Sequence, residues 1–226
     1  MVEIDKIYNI DCLKLLNQLE DNSIDLILTD PPYNVGKEFE NESLNNKDFF
    51  YFHSSYLFEF KRVIKNKHPI VIFFNNGSNL KDYISISGSI IDFKRLITLY
   101  KPNDCSFPTG SLLRTSEVAL VYSNNGTLSY NSDKNIHDVL ISNHKKKDLS
   151  FYHPSVKPID IIKDLILAFT KEGDIVLDPF IGSGTTIVGC KALKRHFIGC
   201  DINKDFCEMA CKRIYNVPFR LEEFQT

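Results

Sequence analysis

Short, nearly all-apolar runs recur along the chain, each followed by a polar turn and a stretch with apolar residues at helical spacing. Lys6-Ile7-Tyr8-Asn9-Ile10 reads as a short strand and Asp11 to Leu19 as the helical turns after it. Beyond the polar Glu20-Asp21-Asn22-Ser23 turn, Ile24 to Thr29 reads as a second strand. The unit then repeats. Residues 47 to 64 mix Phe50, Tyr51, Phe52, Tyr56, Leu57, Phe60 and Val63 at helical spacing, and Pro69 to Phe74 is the continuous apolar run of a strand buried on both faces. Phe93 to Tyr100 and Ser116 to Ser123 predict further strands, the second closed by the turn signal Asn124-Asn125-Gly126. Between Asp104 and Ser150 the texture shifts to Ser, Asn, Thr and Gly, which predicts an irregular inserted region around 104–150. Order returns at Ser155 to Thr170, where Ile159, Ile162, Leu165, Ile166 and Phe169 form one stripe. Strand Ile175-Val176-Leu177, a helix over Thr185 to Leu193, strand His196 to Cys200 and a helix over Asn203 to Tyr215 complete the chain. Such alternation predicts an α/β fold, a doubly wound, mainly parallel sheet with helices on both faces. Ligands in such sheets bind beyond the C-terminal strand ends, where Asp30, Asp178 and Asp201 would lie.

Composition narrows the class. At 226 residues the chain suits one domain spanning 1–226. With 43% apolar and 25% charged residues, and no run of membrane-span length, nothing is expected to cross a membrane. The start, Met1-Val2-Glu3-Ile4-Asp5-Lys6, alternates charged and apolar residues and lacks a signal peptide's apolar stretch, so a cytoplasmic location is expected. The six cysteines read as reduced core and surface thiols. Cys207 and Cys211 sit one helical turn apart with Cys200 nearby, but no His or further Cys has matching spacing, so no metal is expected. A net charge of −2 neither demands nor excludes a polyanionic partner, because local patches decide binding.

Two runs carry the chemistry. Thr29-Asp30-Pro31-Pro32-Tyr33 follows the second strand and gathers a carboxylate, rigid carbonyls and an aromatic ring, a setting for a planar amine. Asp178-Pro179-Phe180-Ile181-Gly182-Ser183-Gly184-Thr185-Thr186 sets a glycine-rich turn between a strand and a helix, where backbone can approach a nucleotide closely. It is not a P-loop, because Gly184 stands where that motif needs Lys. It also lacks the third glycine of a nicotinamide fingerprint. Asp201 closes the next strand, where an acidic side chain can accept bonds from two ribose hydroxyls, or else cap the following helix.

With these motifs the chain resembles the beta class of S-adenosyl-L-methionine-dependent DNA amino-methyltransferases, over nearly its whole length from Ile7 to Arg213. Asp30-Pro31-Pro32-Tyr33 is similar to that family's catalytic motif and Asp178 to Thr186 to its cofactor motif, and their order is that of the beta class. His153-Pro154-Ser155-Val156-Lys157-Pro158 resembles the segment that closes over the methionine end, Asp11-Cys12 the pair whose Asp reads the adenine amine, and Gly199-Cys200-Asp201-Ile202 the ribose-binding strand. The resemblance implies a Rossmann-like methyltransferase sheet, catalysis at Asp30, Pro31, Pro32 and Tyr33, and S-adenosyl-L-methionine held by Asp11, Cys12, Asp30, Ser155, Lys157, Asp178, Phe180, Gly182, Ser183, Gly184, Thr185, Thr186, Asp201 and Ile202.

Lys101-Pro102-Asn103 is similar to a family motif near the target-base pocket, although Leu99 stands where a Trp is usual and the chain has no Trp. Tyr100 and Phe107 are the available stacking rings, or ordinary core aromatics. The implied substrate is adenine N6 in duplex DNA, flipped out of the stack, because cytosine N4 enzymes of the family more often carry Ser where Asp30 stands. A DNA cytosine-N4 methyltransferase, an RNA amino-methyltransferase and a cofactor-binding specificity module without turnover are the alternatives. Lys101, Asn103, Arg114, Lys145, Lys146 and Lys147 are the candidates for holding the nucleic-acid backbone, or are solvated surface charges. Family members often pair, so a homodimer and a cognate restriction endonuclease or another specificity-defining chain are the expected partners. The inserted region 104–150 is the expected target-recognition segment. Carbon methylation uses a Pro-Cys nucleophile, and no Pro-Cys occurs in this chain.

Overall fold

Eight strands form one mixed sheet in the computed structural model, which describes residues 2–32, 46–74, 79–102, 115–131, 133–142 and 156–215. The strands are β1 (Lys6–Asn9), β2 (Leu26–Thr29), β3 (Pro69–Phe74), β4 (Asp92–Tyr100), β5 (Ser116–Ser123), β6 (Val139–Ile141), β7 (Ile175–Asp178) and β8 (His196–Asp201). Their order across the sheet is β1-β8-β7-β2-β3-β5-β4-β6. The first five in that order run parallel, with registers such as Tyr8 beside Cys200, Leu177 beside Ile198 and Ile27 beside Leu177. β5 is antiparallel to both β3 and β4, and β6 runs parallel to β4.

Side-chain alternation across these strands makes two cores. Ile27, Ile70, Ile72, Phe74, Leu177 and Ile198 face one side, under α1 (Cys12–Leu16), α2 (Asn46–Val63) and α3 (Leu80–Ile90). Leu26, Leu28, Val71, Phe73, Val176 and Phe197 face the other, under α4 (Ile159–Phe169), α5 (Thr185–Ala192) and α6 (Lys204–Tyr215). Residues i and i+2 of a strand share a face, so nearly unbroken apolar runs are what a sheet covered on both sides requires. From β2 the chain proceeds outward to β3, and from β7 it proceeds the other way to β8, with helices on opposite faces. The strand order therefore reverses between β2 and β7, which opens a crevice at their C-terminal ends.

Helix α3 and strand β6 are not predicted by the sequence pattern. Leu80–Ile90 carries Ser, Gly and β-branched Ile, all weak helix formers, yet Tyr83, Ser87 and Ile90 supply one buried face. β6 has only three residues and lies within the stretch expected to be irregular, where pairing with β4 makes it a strand. Helix α4 starts at Ile159, after Pro158, rather than at Ser155. On α2 the aromatic residues divide: Tyr51 is 76% and Phe58 59% exposed, while Phe49, His53, Tyr56, Leu57 and Phe60 form the inner face. The described cysteines are free thiols. Among the described residues no helix is long and apolar enough to cross a membrane, and no His, Cys, Asp or Glu cluster could hold a metal.

Candidate active site at the switch point

β7 ends at Asp178, whose carboxyl Oδ1 accepts from the Thr29 hydroxyl at the end of β2 (2.7 Å) and from the Phe180 N–H (3.2 Å). This bond joins the two strands that flank the crevice. Burial dominates over these donors and pushes the Asp178 carboxyl up to about 7. The chain then makes the glycine turn, with the Ile181 N–H on the Cys200 carbonyl (3.0 Å) and the Gly184 N–H on the Ile181 carbonyl (2.7 Å). Gly182 and Gly184 have φ of 44° and 77°, the left-handed region that glycine enters without strain. A Cβ on Gly184 would also stand 2.5 Å from the Ala210 Cβ and 2.9 Å from its Cα, so glycine lets α6 close on the turn.

Asp201, at the end of β8, is oriented across this turn by two backbone donors, the Gly182 N–H on Oδ2 and the Asn203 N–H on Oδ1, both at 2.9 Å. Next to it β1 delivers Asp11, whose Oδ1 caps α1 by accepting from the Leu13 and Lys14 N–H groups (3.0 and 3.2 Å). Cys12 is buried beneath, its thiol pushed up to about 12 by burial and by Asp11. Ser183, Thr185 and Thr186 are buried and Phe180 is half-buried, whereas Ile202 is 50% exposed. Helix α5 begins at this turn, and Gly184 offers it no side-chain cap. Two acidic side chains on neighbouring strand ends, with an uncapped helix start between close backbone, fit a nucleoside with hydroxyl and amine donors.

The other side of the crevice is built from charge. Asp30 follows β2, and its Oδ2 accepts from the Lys157 ammonium at 2.6 Å. Lys157 also lies 3.2 Å from Glu117 Oε2, and Lys101 lies 2.7 Å from Glu117 Oε1. The Lys157 ammonium stands over the Phe73 ring, 5.3 Å from its centre. Lys101, Glu117 and Lys157 have side chains only 13, 11 and 7% exposed, and Asp30 21%. Burial opposes ionisation at Glu117, but two ammonium groups, Lys157 and Lys101, outweigh it and hold this carboxyl down at about 2. At Asp30 burial outweighs the pull of Lys157 and the weaker pull of Lys101, and the nearby Glu117 carboxylate pushes the same way as burial, so its proton affinity rises above the usual carboxylate range. Its Oδ1 is buried and has no hydrogen-bond partner among the described residues.

The fold thus gathers Asp11, Cys12, Asp30, Pro31, Pro32, Lys157, Asp178, Phe180, Gly182 to Thr186 and Asp201 around one crevice. Tyr33, Asn103, Phe107, Arg114, Lys145, Lys146, Lys147 and Ser155 lie outside the described residues. Lys101 turns to Glu117, and Tyr100, next to it on β4, is 38% exposed rather than part of the core, where Leu99 sits at 1%. Glu117 escapes the sequence reading although a charge at the head of an apolar strand was its signal. Because β5 is antiparallel, that head lies at the edge where the parallel strands end, with Val118 beside Phe74.

The family model described as DNA methylase, of the N6/N4 methyltransferase type, matches residues 24–212. The chain is 34% identical over 231 residues to the type II methyltransferase M.HpaI of Haemophilus parainfluenzae, a match covering 90% of this chain and 72% of that one. It is 30% identical over 237 residues to the DNA adenine methyltransferase YhdJ of Escherichia coli, covering 90% and 80%. Among solved structures, the cytosine-N4-specific PvuII DNA methyltransferase superposes with a TM-score of 0.78 at 17% identity, covering 94% of this chain and 87% of that one. The M1.HpyAVI–SAM complex superposes with a TM-score of 0.71 at 24% identity, covering 92% and 98%.

Proposed function

The chain belongs to the N6/N4-type DNA methylase family, a family of S-adenosyl-L-methionine-dependent DNA amino-methyltransferases, and from that premise we propose that it methylates the exocyclic N6 of adenine in DNA. The observation that carries this reading is the unpartnered, buried Oδ1 of Asp30 beside an Oδ2 already taken by Lys157. A buried acceptor without a donor is costly, and an amine N–H supplies the missing donor.

An exocyclic amine is a poor nucleophile because its lone pair is delocalised into the ring. S-adenosyl-L-methionine, when bound, supplies a methyl group already activated on a sulfonium. The protein's task is therefore to hold the amine and to stabilise the positive charge that develops on its nitrogen. Asp30 Oδ1 accepts one N–H and the Pro31 carbonyl the other, and burial, which raises the basicity of Asp30, makes it the stronger acceptor. Lys157 fixes the orientation of that carboxylate through its other oxygen. The two prolines restrict the backbone that presents the acceptors, and Tyr33 stacks on the base. Gly182, Ser183, Gly184, Asp201 and Asp11 would hold the nucleoside end of the cofactor, and Lys157 would bound its amino-acid end. Proximity in this arrangement accounts for much of the rate.

Adenine rather than cytosine is supported by the aspartate at position 30 and by the likeness to an enzyme named as a DNA adenine methyltransferase. The 104–150 region, with Arg114 and Lys145 to Lys147, is the proposed contact with DNA, and a second copy of the chain or a cognate endonuclease its proposed partner. The test is transfer from tritiated cofactor to DNA, followed by digestion and identification of the labelled nucleoside. N6-methyladenine is the expected product. N4-methylcytosine would overturn the base assignment, and preferential labelling of competing tRNA would overturn the choice of DNA.

A further inference from the structure

One polar ring stands on the otherwise apolar inner face of α2. His53 is 1% exposed, its ring centre 4.1 Å from that of Phe49 and 5.0 Å from that of Tyr83. Its Nε2 lies 3.2 Å from the Pro32 carbonyl oxygen, and its Nδ1 bonds with the Tyr56 hydroxyl. That hydroxyl lies 3.2 Å from the hydroxyl of Tyr83, on α3.

The directions of these bonds follow from donor and acceptor chemistry. A carbonyl only accepts, so Nε2 carries the proton. Burial pushes His53 down to about 3 against the pull of the Pro32 carbonyl, so the ring is neutral and Nδ1 is a bare acceptor. The Tyr56 hydroxyl must then donate to Nδ1, which leaves its oxygen to accept from Tyr83. Both phenols stay protonated, since burial raises them well above their ordinary value. Tyr83 is in turn stacked on Phe74, at the end of β3, with ring centres 4.6 Å apart. One polarity therefore runs from α3 through α2 to the Asp-Pro-Pro segment, and each bond strengthens the next.

We propose that His53 is a positioning residue for methyl transfer: through its Nε2–H it latches the Pro32 carbonyl and fixes the segment that presents the Asp30 and Pro31 acceptors. Lys157 holds that segment at Asp30 and His53 holds it at Pro32. Transfer requires amine and methyl group to be closely aligned, so loss of one anchor reduces turnover more than cofactor binding. This inference rests on the amine-transfer reading above, and its first test is independent of turnover.

Imidazole nitrogen NMR of uniformly labelled protein, with the His53 signals assigned by their loss in His53→Gln, should show the Nε2–H tautomer unchanged between pH 5 and 8. The Nδ1–H tautomer, or titration in that range, would overturn the latch. Wild-type protein that shows the expected tautomer but transfers no methyl would refute the proposed activity and leave the latch standing. In kinetics, the amide nitrogen of Gln reaches the place of Nε2 and that of Asn the place of Nδ1. His53→Gln should keep kcat within about 5-fold, whereas His53→Asn should lower it about 10- to 100-fold with cofactor Kd unchanged. Equal losses in both variants, following their thermal stability, would mean that His53 only packs.

Discussion

The two sides of the crevice satisfy their charges by opposite means. On the glycine-turn side, Asp201 is held by the N–H groups of Gly182 and Asn203, and Asp178 by Thr29 and the Phe180 N–H. Three of those four donors are backbone groups of the same βαβ unit. On the Asp30 side, Asp30, Lys157, Glu117 and Lys101 pair through side chains, with Asp30 Oδ1 and Glu117 Oε2 left without a hydrogen bond among the described residues, and Asp30 and Lys157 are 127 residues apart. Backbone donors come with the turn and cost no further ordering. A charged cluster exists only when distant segments have already packed, and removing one member leaves another buried without its counterion. The glycine-turn side is thus held rigidly, whereas the Asp30 side is balanced and easily upset.

That contrast sets the expected variants. Lys157→Met strips Asp30 and Glu117 of a shared cation and should cost about 3–5 kcal/mol in urea unfolding, together with most of the activity; a loss under about 1 kcal/mol would mean that the cluster is not coupled. Asp30→Ala removes the proposed amine acceptor and should lower kcat about 10²- to 10³-fold, with cofactor Kd within a few-fold by calorimetry. Retained turnover would deny Asp30 its role. On the opposite side, Gly184→Ala forces a Cβ against Ala210 at positive φ and should cost about 1–3 kcal/mol. Ala210→Gly in the same chain should recover the part due to the clash, so no recovery would show that the turn alone is strained.

The mildest change is Asp178→Asn, which keeps an oxygen for Thr29 and Phe180. The Asp178 carboxyl is raised from 3.8 to about 7 by burial, so its contribution to stability is intact below the unfolded value and is lost as pH rises through about 7. The Asn variant should flatten the fall in stability between pH 4 and 7, as followed by urea midpoints. An unchanged slope would assign that pH dependence to other groups. For activity, acidification should protonate Asp30 above the ordinary carboxylate range and silence the acceptor, a limb that a pH–rate profile would reveal.

The same contrast explains how far the amino-acid order could be read. The glycine turn, Asp178, Asp201 and the Asp-Pro-Pro segment are local patterns: an apolar run, a turn and a residue type at fixed spacing, each physically meaningful in a short window. Glu117 and His53 have no such window. Glu117 looks like an incidental charge opening a strand, and His53 like one polar residue on an aromatic helix, because their partners arrive from other elements. Tyr51 shows the converse error, since an aromatic at near-helical spacing turns outward when the inner face is already filled.

Local periodicity and turn chemistry, which act over a few residues, were enough for the alternation of strands and helices, the crevice at the strand ends and the motifs that line it. Strand direction and side-chain pairing were not contained in those patterns. An apolar run buried on both faces looks the same in either direction, and the reversal of β5 is what carries Glu117 to the edge where Asp30 lies. Likewise the ion cluster and the hydrogen bonds of His53 came into being only when packing removed water from between segments far apart in the chain, making charge and hydrogen-bond direction costly to leave unmatched.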